Sequence, residues 1–464
     1  MKDMTLLKIA EACGGTYVGT KDMEHTEVTS VVLDSRKAEP GALFIATRGE
    51  RVDGHDYIDD VFFKGAVCVI SEKELPGCNG VYIKVEDSFQ ALKDIAKYYR
   101  SRLDIKVVGI TGSVGKTSTK EMIASVLAQK YSVLKTAGNF NNEVGLPLTI
   151  LSIRDEHEVA VVEMGISNFG EMHRLSEIAK PDICVMTNIG NCHLENLGTK
   201  EGILRAKSEI FDFISEDGAI CLNGDDALLS TMTAVKGIKP LFFGIDHHNS
   251  IYATDITNHG LKGTACKIHV MQSDAEESFD VSIPIPGGHM VNNALAATAV
   301  GVTIGLSYEL IQKGIGAVEA ISGRSHLMQT ERYMIIDDCY NANPMSMKAA
   351  IELLSYALTR KVAILGDMFE LGTNSNQMHS EVGTFAAESG ADVLIIVGDN
   401  SKHMYAAAEQ YVRERGMNTE IQYYATRDEA ISHLHELVQQ GDTILVKASH
   451  GMGFHEVVEW LERH

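Results

Sequence analysis

Lys116 and Thr117 close the run Thr111-Gly112-Ser113-Val114-Gly115-Lys116-Thr117-Ser118, and residues of these types in this order suit one task, holding the phosphates of a nucleotide. Glycines at 112 and 115 let successive backbone N–H groups turn toward an anion. A helix beginning beside them adds the positive end of its dipole, about half a charge. Lys116 would reach the outer phosphates and the Thr117 hydroxyl would hold Mg²⁺. The usual pattern has a glycine five residues ahead of Gly115; Ile110 stands there, so the loop is a variant. The alternative is a glycine-rich turn carrying a solvated lysine. Glu163 is a second candidate, because it ends the apolar run Val159 to Val162. A carboxylate on such a buried strand must be paired or bind a metal, and the run itself does not choose between them.

These residues need a strand before the loop and a helix after it. Lys106 to Thr111 reads as the strand, and Thr117 to Gln129 as the helix, with Met122, Ile123, Val126 and Leu127 on one face. Further apolar runs follow at Val159 to Met164 and Ile183 to Thr187. Alternation of this kind predicts a parallel sheet covered by helices, with ligands at the strand ends. A β-richer excursion spans about Ile251 to Pro286, and Asn292 to Gly305 returns to helix. Near Ser322-Gly323-Arg324 the chain crosses into another strand and helix alternation. Its strands are Tyr333 to Asp337, Lys361 to Leu365, Val393 to Val397 and Thr443 to Lys447; its helices include Ser346 to Leu358 and Asp428 to Gln440. It has the look of a dinucleotide fold without the Gly-x-Gly-x-x-Gly fingerprint, so no nicotinamide site is expected. The first hundred residues mix short β runs, Val28 to Leu33, Ala42 to Thr47 and Ala66 to Ser71, with the helical stretch Ser88 to Leu103. The fold class is therefore α/β in three domains, 1–102, 103–322 and 323–464, the second a P-loop parallel-sheet domain and the third Rossmann-like.

Composition narrows the partners. With 63 acidic against 41 basic residues, the formal net charge of −22 repels nucleic acid and anionic membranes at long range. A nucleotide still binds, because distant charges are screened over about 8 Å and nearby cations and N–H groups decide the outcome. The eight cysteines are scattered, without the paired spacing of zinc or redox sites, and read as reduced packing residues. The N-terminal segment reads as an ordinary amphipathic helix with nothing that directs export, and no uncharged apolar stretch approaches the roughly 18 residues of a membrane span. A cytoplasmic, monomeric protein is the expectation.

Several segments together resemble the Mur ligases, the ATP-dependent amide-forming enzymes of bacterial cell-wall precursor synthesis. They are the phosphate loop, Val-Val-Glu-Met-Gly at 161–165, Thr-Asn-Ile-Gly-Asn-Cys-His-Leu-Glu at 187–195, Ala-Lys-Ser-Glu-Ile-Phe at 206–211, Asn-Ala-Leu-Ala-Ala at 293–297 and Gly323-Arg324. Asp34-Ser35-Arg36, Pro-Gly-Ala-Leu-Phe at 40–44 and Asp53-Gly54-His55 look like the uridine-nucleotide domain of the two later ligases of that family. The segments 338–347 and 365–372 resemble the member that adds D-alanyl-D-alanine, and the Asp-Asn-Pro-Arg motif of the diamino-acid-adding member is absent.

The resemblance implies ligation of D-alanyl-D-alanine to UDP-N-acetylmuramoyl-tripeptide through an acyl phosphate, with release of ADP and phosphate. It implies ATP contacts from Gly112, Ser113, Val114, Gly115, Lys116, Thr117, Ser118, Asn293, Arg324, Asp338 and Asn341. Lys116, Glu163, His193, Lys207 and Arg324 would carry catalysis. A pair of Mg²⁺ ions would be held by Thr117, Glu163, His193 and Lys207, the lysine being carbamylated as in several members, with an ordinary ion pair to Glu201 or Glu209 as the alternative. Ser35, Arg36, Asp53, His55 and Asn142 would hold the UDP-sugar, and Asn343, Lys447 and Ser449 the dipeptide. Two departures stand out. His289-Met290 replaces a common His-Asn, with Asn292 as a substitute, and Lys447-Ala448-Ser449-His450 replaces a common Lys-Gly-Ser-Arg. A diamino-acid-adding relative, a folate polyglutamylating ligase and a P-loop switch without ligase activity remain as other readings; the uridine-like segment argues against the folate one.

Overall fold

The computed structural model describes residues 1–50, 52–272 and 275–464, and these form two compact units. The first comprises Met1–Thr111, Lys130–Val185 and Lys207–Ile220. It opens with a five-stranded sheet in the order Thr16–Val18, Tyr82–Lys84, Cys68–Ser71, Ala42–Ile45, Ser30–Val32, parallel except at its first edge. Ala42–Ile45 and Cys68–Ser71 are buried along their whole length, which is why they read as continuous apolar runs rather than alternating ones. Ser30–Val32 falls inside the run Val28 to Leu33, whereas Thr16–Val18 and Tyr82–Lys84, three residues each, were beyond the reach of periodicity.

Helix Ser88–Ser101 starts where the Asp87 carboxylate accepts from the Phe89 and Gln90 N–H groups, and it buries Leu92, Ile95 and Tyr99. The Tyr99 hydroxyl donates to the Ile153 carbonyl at 2.6 Å, and Arg100 donates to the carbonyls of Ala179 and Lys180 at 2.8 and 3.1 Å. These bonds fasten the helix to the segments that lead into strands Val159–Glu163 and Ile183–Met186, which lie in the spatial order Ile183–Met186, Lys106–Thr111, Val159–Glu163, Val133–Lys135. The last three run parallel, with Ile110 opposite Glu163.

The second unit comprises Gly112–Gln129, Met186–Ala206 and Cys221–His464. Helix Lys116–Leu127 and the alanine-rich helix Met290–Ile304 lie together in it, and the Ser125 hydroxyl donates to the Gly314 carbonyl at 2.7 Å. The β-rich excursion is an antiparallel meander of Ile251–Asn258, Thr264–Gln272 and Ala275–Ile283. Beyond it stands a six-stranded sheet, His326–Gln329, Met334–Asp337, Thr443–Lys447, Lys361–Gly366, Val393–Val397, Glu420–Tyr424, parallel except for its first edge strand. One face packs on helices Pro344–Ser355, Ser375–Glu388 and Lys402–Arg415, the other on Arg427–Leu437 and His455–Arg463. Helices on both faces are what a parallel sheet of buried valine, leucine and isoleucine requires. Among the described residues no helix is long and apolar enough to cross a membrane, and all eight cysteines are free thiols.

Candidate active site

The loop at 112–117 has the shape its glycines allow. Gly112 has φ +149°, and a Cβ there would collide with the Thr187 hydroxyl; Gly115, at φ +82°, is the N-cap of helix Lys116–Leu127. The next strand end supplies the mould. The Thr187 hydroxyl donates to the Val114 carbonyl at 2.7 Å, the Asn188 side chain accepts from the Val114 N–H at 2.9 Å, and the Asn188 carbonyl accepts from the Ser113 N–H at 3.0 Å. Lys116 Nζ arches back to the Gly112 carbonyl at 2.9 Å, which places the ammonium over the loop. The helix that follows leaves its first N–H groups without intrahelical partners, a ready anion site.

A cavity of about 310 Å³ opens beside this loop. It collects Val114, Gly115, Ser118, Asn293, Arg324, Asp338 and Lys447 of the sequence candidates, with Asn188, Asp226, His289 and Asn292 among residues the sequence did not assign as primary contacts. Arg324 Nη2 lies 3.4 Å from Thr117 Oγ1, and its guanidinium sits 4.2 Å over the Tyr340 ring, a cation–π contact that aims it. Asn293 is engaged inside the fold: its Oδ1 accepts from the Thr119 hydroxyl at 2.9 Å and its Nδ2 faces the Met290 sulfur at 3.1 Å. Asn292 Oδ1, by contrast, is buried without a hydrogen-bond partner. Asn341 directs its carbonyl to Lys447 Nζ at 2.9 Å, so both residues help shape the wall near Asp338. Asp225 at the cavity rim, with Asp246 and His248, makes an exposed cluster of potential ligands, but its carboxylate accepts from the Ile245 and Asp246 N–H groups and braces that loop.

Glu163 is 2% exposed at the end of its strand. Asn141 Nδ2 donates to its Oε1 at 2.8 Å, while Oε2 is buried with no hydrogen-bond partner. A carboxylate half satisfied in this way fits a cation, since a lone buried charge is costly. Lys207 is fully buried; Glu209, one of its expected partners, accepts from the Gly170 and His173 N–H groups. His193, N-cap of Leu194–Leu197, places Nδ1 2.6 Å from Glu370 Oε2. Glu370 lies in the segment 365–372 that the sequence singled out without giving the residue a task.

The uridine candidates lie in the first unit. Asp53 pairs with His55 Nδ1 at 2.6 Å and with Lys73 Nζ at 2.9 Å, and the hydrogen bond from Lys73, aided by His55, holds its carboxyl well below the ordinary carboxylate range. His55 Nε2 accepts from the Glu72 N–H at 3.0 Å. Arg36, mostly exposed, forks onto Asp34, whose carboxyl falls to about 2 under that hydrogen bond. The Ser35 carbonyl accepts from Lys64 Nζ at 3.0 Å, and Asn142 accepts from the Val144 and Gly145 N–H groups at the start of helix Gly145–Leu151. The acceptor candidates are also at work in the scaffold. Asn343 forms a capping box with Ser346, Ser449 Oγ accepts from the Phe369 N–H at 2.9 Å, and Lys447 is buried against Asp338.

Asn188 and Tyr340 escaped the sequence reading as site residues. Asn188 stands in the motif at 187–195, where its position straight after a strand was the available signal; Tyr340 was placed by the fold and could be found only there.

Three family models match the chain in order: the Mur ligase family catalytic domain at residues 27–100, the Mur ligase middle domain at 110–301, and the Mur ligase glutamate ligase domain at 323–450. The UDP-N-acetylmuramoyl-tripeptide--D-alanyl-D-alanine ligase of Bacillus subtilis is 37% identical over 461 residues, covering 98% of this chain and 97% of that protein. Its Escherichia coli counterpart is 34% identical over 471 residues, covering 100% and 99%. Among solved structures, MurF from Acinetobacter baumannii superposes with a TM-score of 0.87 at 32% identity over 99% of both chains. MurF ligase from Thermotoga maritima in complex with ADP gives 0.79 at 30% identity over 94% of this chain and 97% of that one. With the matches running through all three α/β domains, the chain belongs to the Mur ligase family.

Proposed function

We propose that this protein joins D-alanyl-D-alanine to the peptide carboxylate of UDP-N-acetylmuramoyl-tripeptide, converting ATP to ADP and phosphate. The observation that carries the reading is Arg324 against Thr117: a cation from beyond the central helix Met290–Ile304 reaches the phosphate loop. A carboxylate is a poor electrophile, and phosphorylation gives it a leaving group that an amine can displace. The protein's task is to hold two anions together while charge shifts between them. Lys116 covers the phosphates from the loop, and Arg324, braced on Tyr340, supplies the opposing charge. Asn292 is in place to take a polar edge of the nucleotide where Asn293 is already engaged. A pair of Mg²⁺ ions, held through Thr117, Glu163 and His193, would neutralise charge on the transferred phosphoryl group. Complete burial of Lys207 supports carbamylation, which would make its side chain an anion able to take part in the metal site.

The same reading places the uridine group at Ser35, Arg36, Asp53, His55 and Asn142, and the dipeptide near Asn343, Lys447 and Ser449. Domain limits at 1–102, 103–322 and 323–464, a monomeric state and a cytoplasmic location accompany it. The test is phosphate release from ATP with UDP-N-acetylmuramoyl-tripeptide, with and without D-alanyl-D-alanine, and product mass. Release that depends on the dipeptide, with the joined product formed, is expected. Turnover only with the UDP-dipeptide and a diamino acid, or ATP hydrolysis indifferent to small acceptors, would overturn it.

A further inference from the structure

Arg324 stands between two residues with left-handed backbones, Gly323 at φ +76° and Ser325 at φ +49°. Glycine takes that region freely; a serine seldom does, and it stays there where its surroundings over-determine it. Two consecutive carboxylates at the end of strand Met334–Asp337 supply those surroundings. Asp337 Oδ2 accepts from the Gly323 N–H at 2.7 Å and from the Ser322 hydroxyl at 3.0 Å, and Asp338 Oδ1 accepts from the Ser325 N–H at 3.0 Å. The Arg324 N–H turns back to the Ile321 carbonyl at 3.0 Å, so every backbone N–H from 323 to 325 is engaged. The Gly323 carbonyl in turn accepts from the Tyr340 N–H at 3.2 Å, which ties the segment to the residue whose ring lies under the guanidinium.

Asp337 is the member of this set without a task in the reaction. It is 2% exposed, and its hydrogen bonds run to neutral donors: the Gly323 N–H, the Ser322 hydroxyl and, at 3.4 Å to Oδ1, the Cys339 N–H. Asp338, beside it, has the Lys447 ammonium. A charge buried on neutral donors alone is costly, and what this one secures is the stretch of chain that carries Arg324.

We propose that Asp337 is a positioning residue for phosphoryl transfer. By gripping the Gly323 N–H and the Ser322 hydroxyl it fixes where Arg324 leaves the chain, so that the guanidinium reaches the phosphate loop, 3.4 Å from Thr117 Oγ1. A cation already aimed at the place where charge develops needs no reorganisation as the charge shifts. The proposal rests on the reading of Arg324 as the cation opposite Lys116, and its test separates the two.

The values of kcat and KM are measured with ATP, UDP-N-acetylmuramoyl-tripeptide and D-alanyl-D-alanine for wild type, Asp337→Asn, Arg324→Ala and the double variant. The joined product is counted by mass so that slow variants are read, and the thermal midpoint of each is recorded. Asp337→Asn keeps the size of the side chain and is expected to lower kcat about 10-fold with KM for the dipeptide unchanged. In the Arg324→Ala background the same substitution should change kcat by less than about 2-fold, because the residue it positions is gone. A general loosening of the fold would lower both backgrounds alike. If Arg324→Ala lowers kcat and Asp337→Asn lowers both backgrounds equally, or neither, the positioning role falls alone. If Arg324→Ala turns over like wild type, the reading of Arg324 falls and takes the Asp337 role with it. Ser322→Ala, which withdraws one donor from the same oxygen, carries the same cycle should Asp337→Asn not fold. Coupling to Arg324→Ala of about 2-fold or more supports the proposal, and strictly additive losses overturn it.

Discussion

Lys447 Nζ lies 2.6 Å from Asp338 Oδ2, both residues buried, and the second oxygen of Asp338 accepts from the Ser325 N–H at 3.0 Å. The pair therefore holds the backbone next to Arg324. Removing one partner leaves the other charge buried and alone, and such changes cost about 3–5 kcal/mol. Lys447→Met should lower the denaturant midpoint accordingly and weaken ATP-analogue binding. A variant as stable as wild type would show that the pair is dispensable.

Glu163 should behave in the opposite way. Its unpartnered Oε2 makes the buried carboxylate a local cost in the absence of a cation. Glu163→Gln is expected to keep or raise the thermal midpoint without added metal while turnover falls at least about 100-fold. Calorimetry beside an activity assay tests this, and a destabilised but active variant would contradict it.

Lys116 has a single resting contact in the loop, to the Gly112 carbonyl, so its loss should alter stability by no more than about 0.5 kcal/mol. Its transition-state work is larger. Lys116→Ala should reduce kcat/KM by about 10³-fold, roughly 4 kcal/mol. Steady-state kinetics and chemical denaturation on the same preparation check both halves.

His379 carries a pH prediction. Burial pushes its imidazole below the ordinary 6.5, and Nε2 must stay unprotonated to accept from the Met368 N–H. Above about pH 6.5 the folded and unfolded states are both neutral there and the full stability is present. As the pH falls below that value the unfolded chain takes up the proton first. Stability is then lost at up to about 1.4 kcal/mol per pH unit until the folded group titrates. Unfolding free energies of wild type and His379→Gln between pH 7.5 and 5 should diverge with that slope; parallel curves would refute it.

What the sequence disclosed was local. Lys106–Thr111, Val393–Val397 and Thr443–Lys447 fall where their apolar runs place them, because a strand buried on both faces writes itself as an unbroken run. The phosphate loop was legible for the same reason, its glycines, lysine and threonine being consecutive. The short edge strands Thr16–Val18 and His326–Gln329 were not, since three or four residues carry no period and their pairing decides them. Partners were the least legible. Nothing local in Tyr340 tells that Arg324 lies over its ring, nor in Glu370 that it meets His193. The engagement of Asn293 by Thr119 and Met290 was equally hidden, though the His289-Met290 departure pointed to that place.

Helix Ser88–Ser101, through the bonds from Tyr99 and Arg100 to Ile153, Ala179 and Lys180, lies with the first sheet and the strand bearing Glu163 in one body. If the uridine group is held at Asp53 and His55, its distance from Glu163 is a constant of the scaffold. That body is then a ruler: a precursor one amino acid short would bind by its nucleotide end and present its carboxylate out of reach, so length would be read before any side chain is.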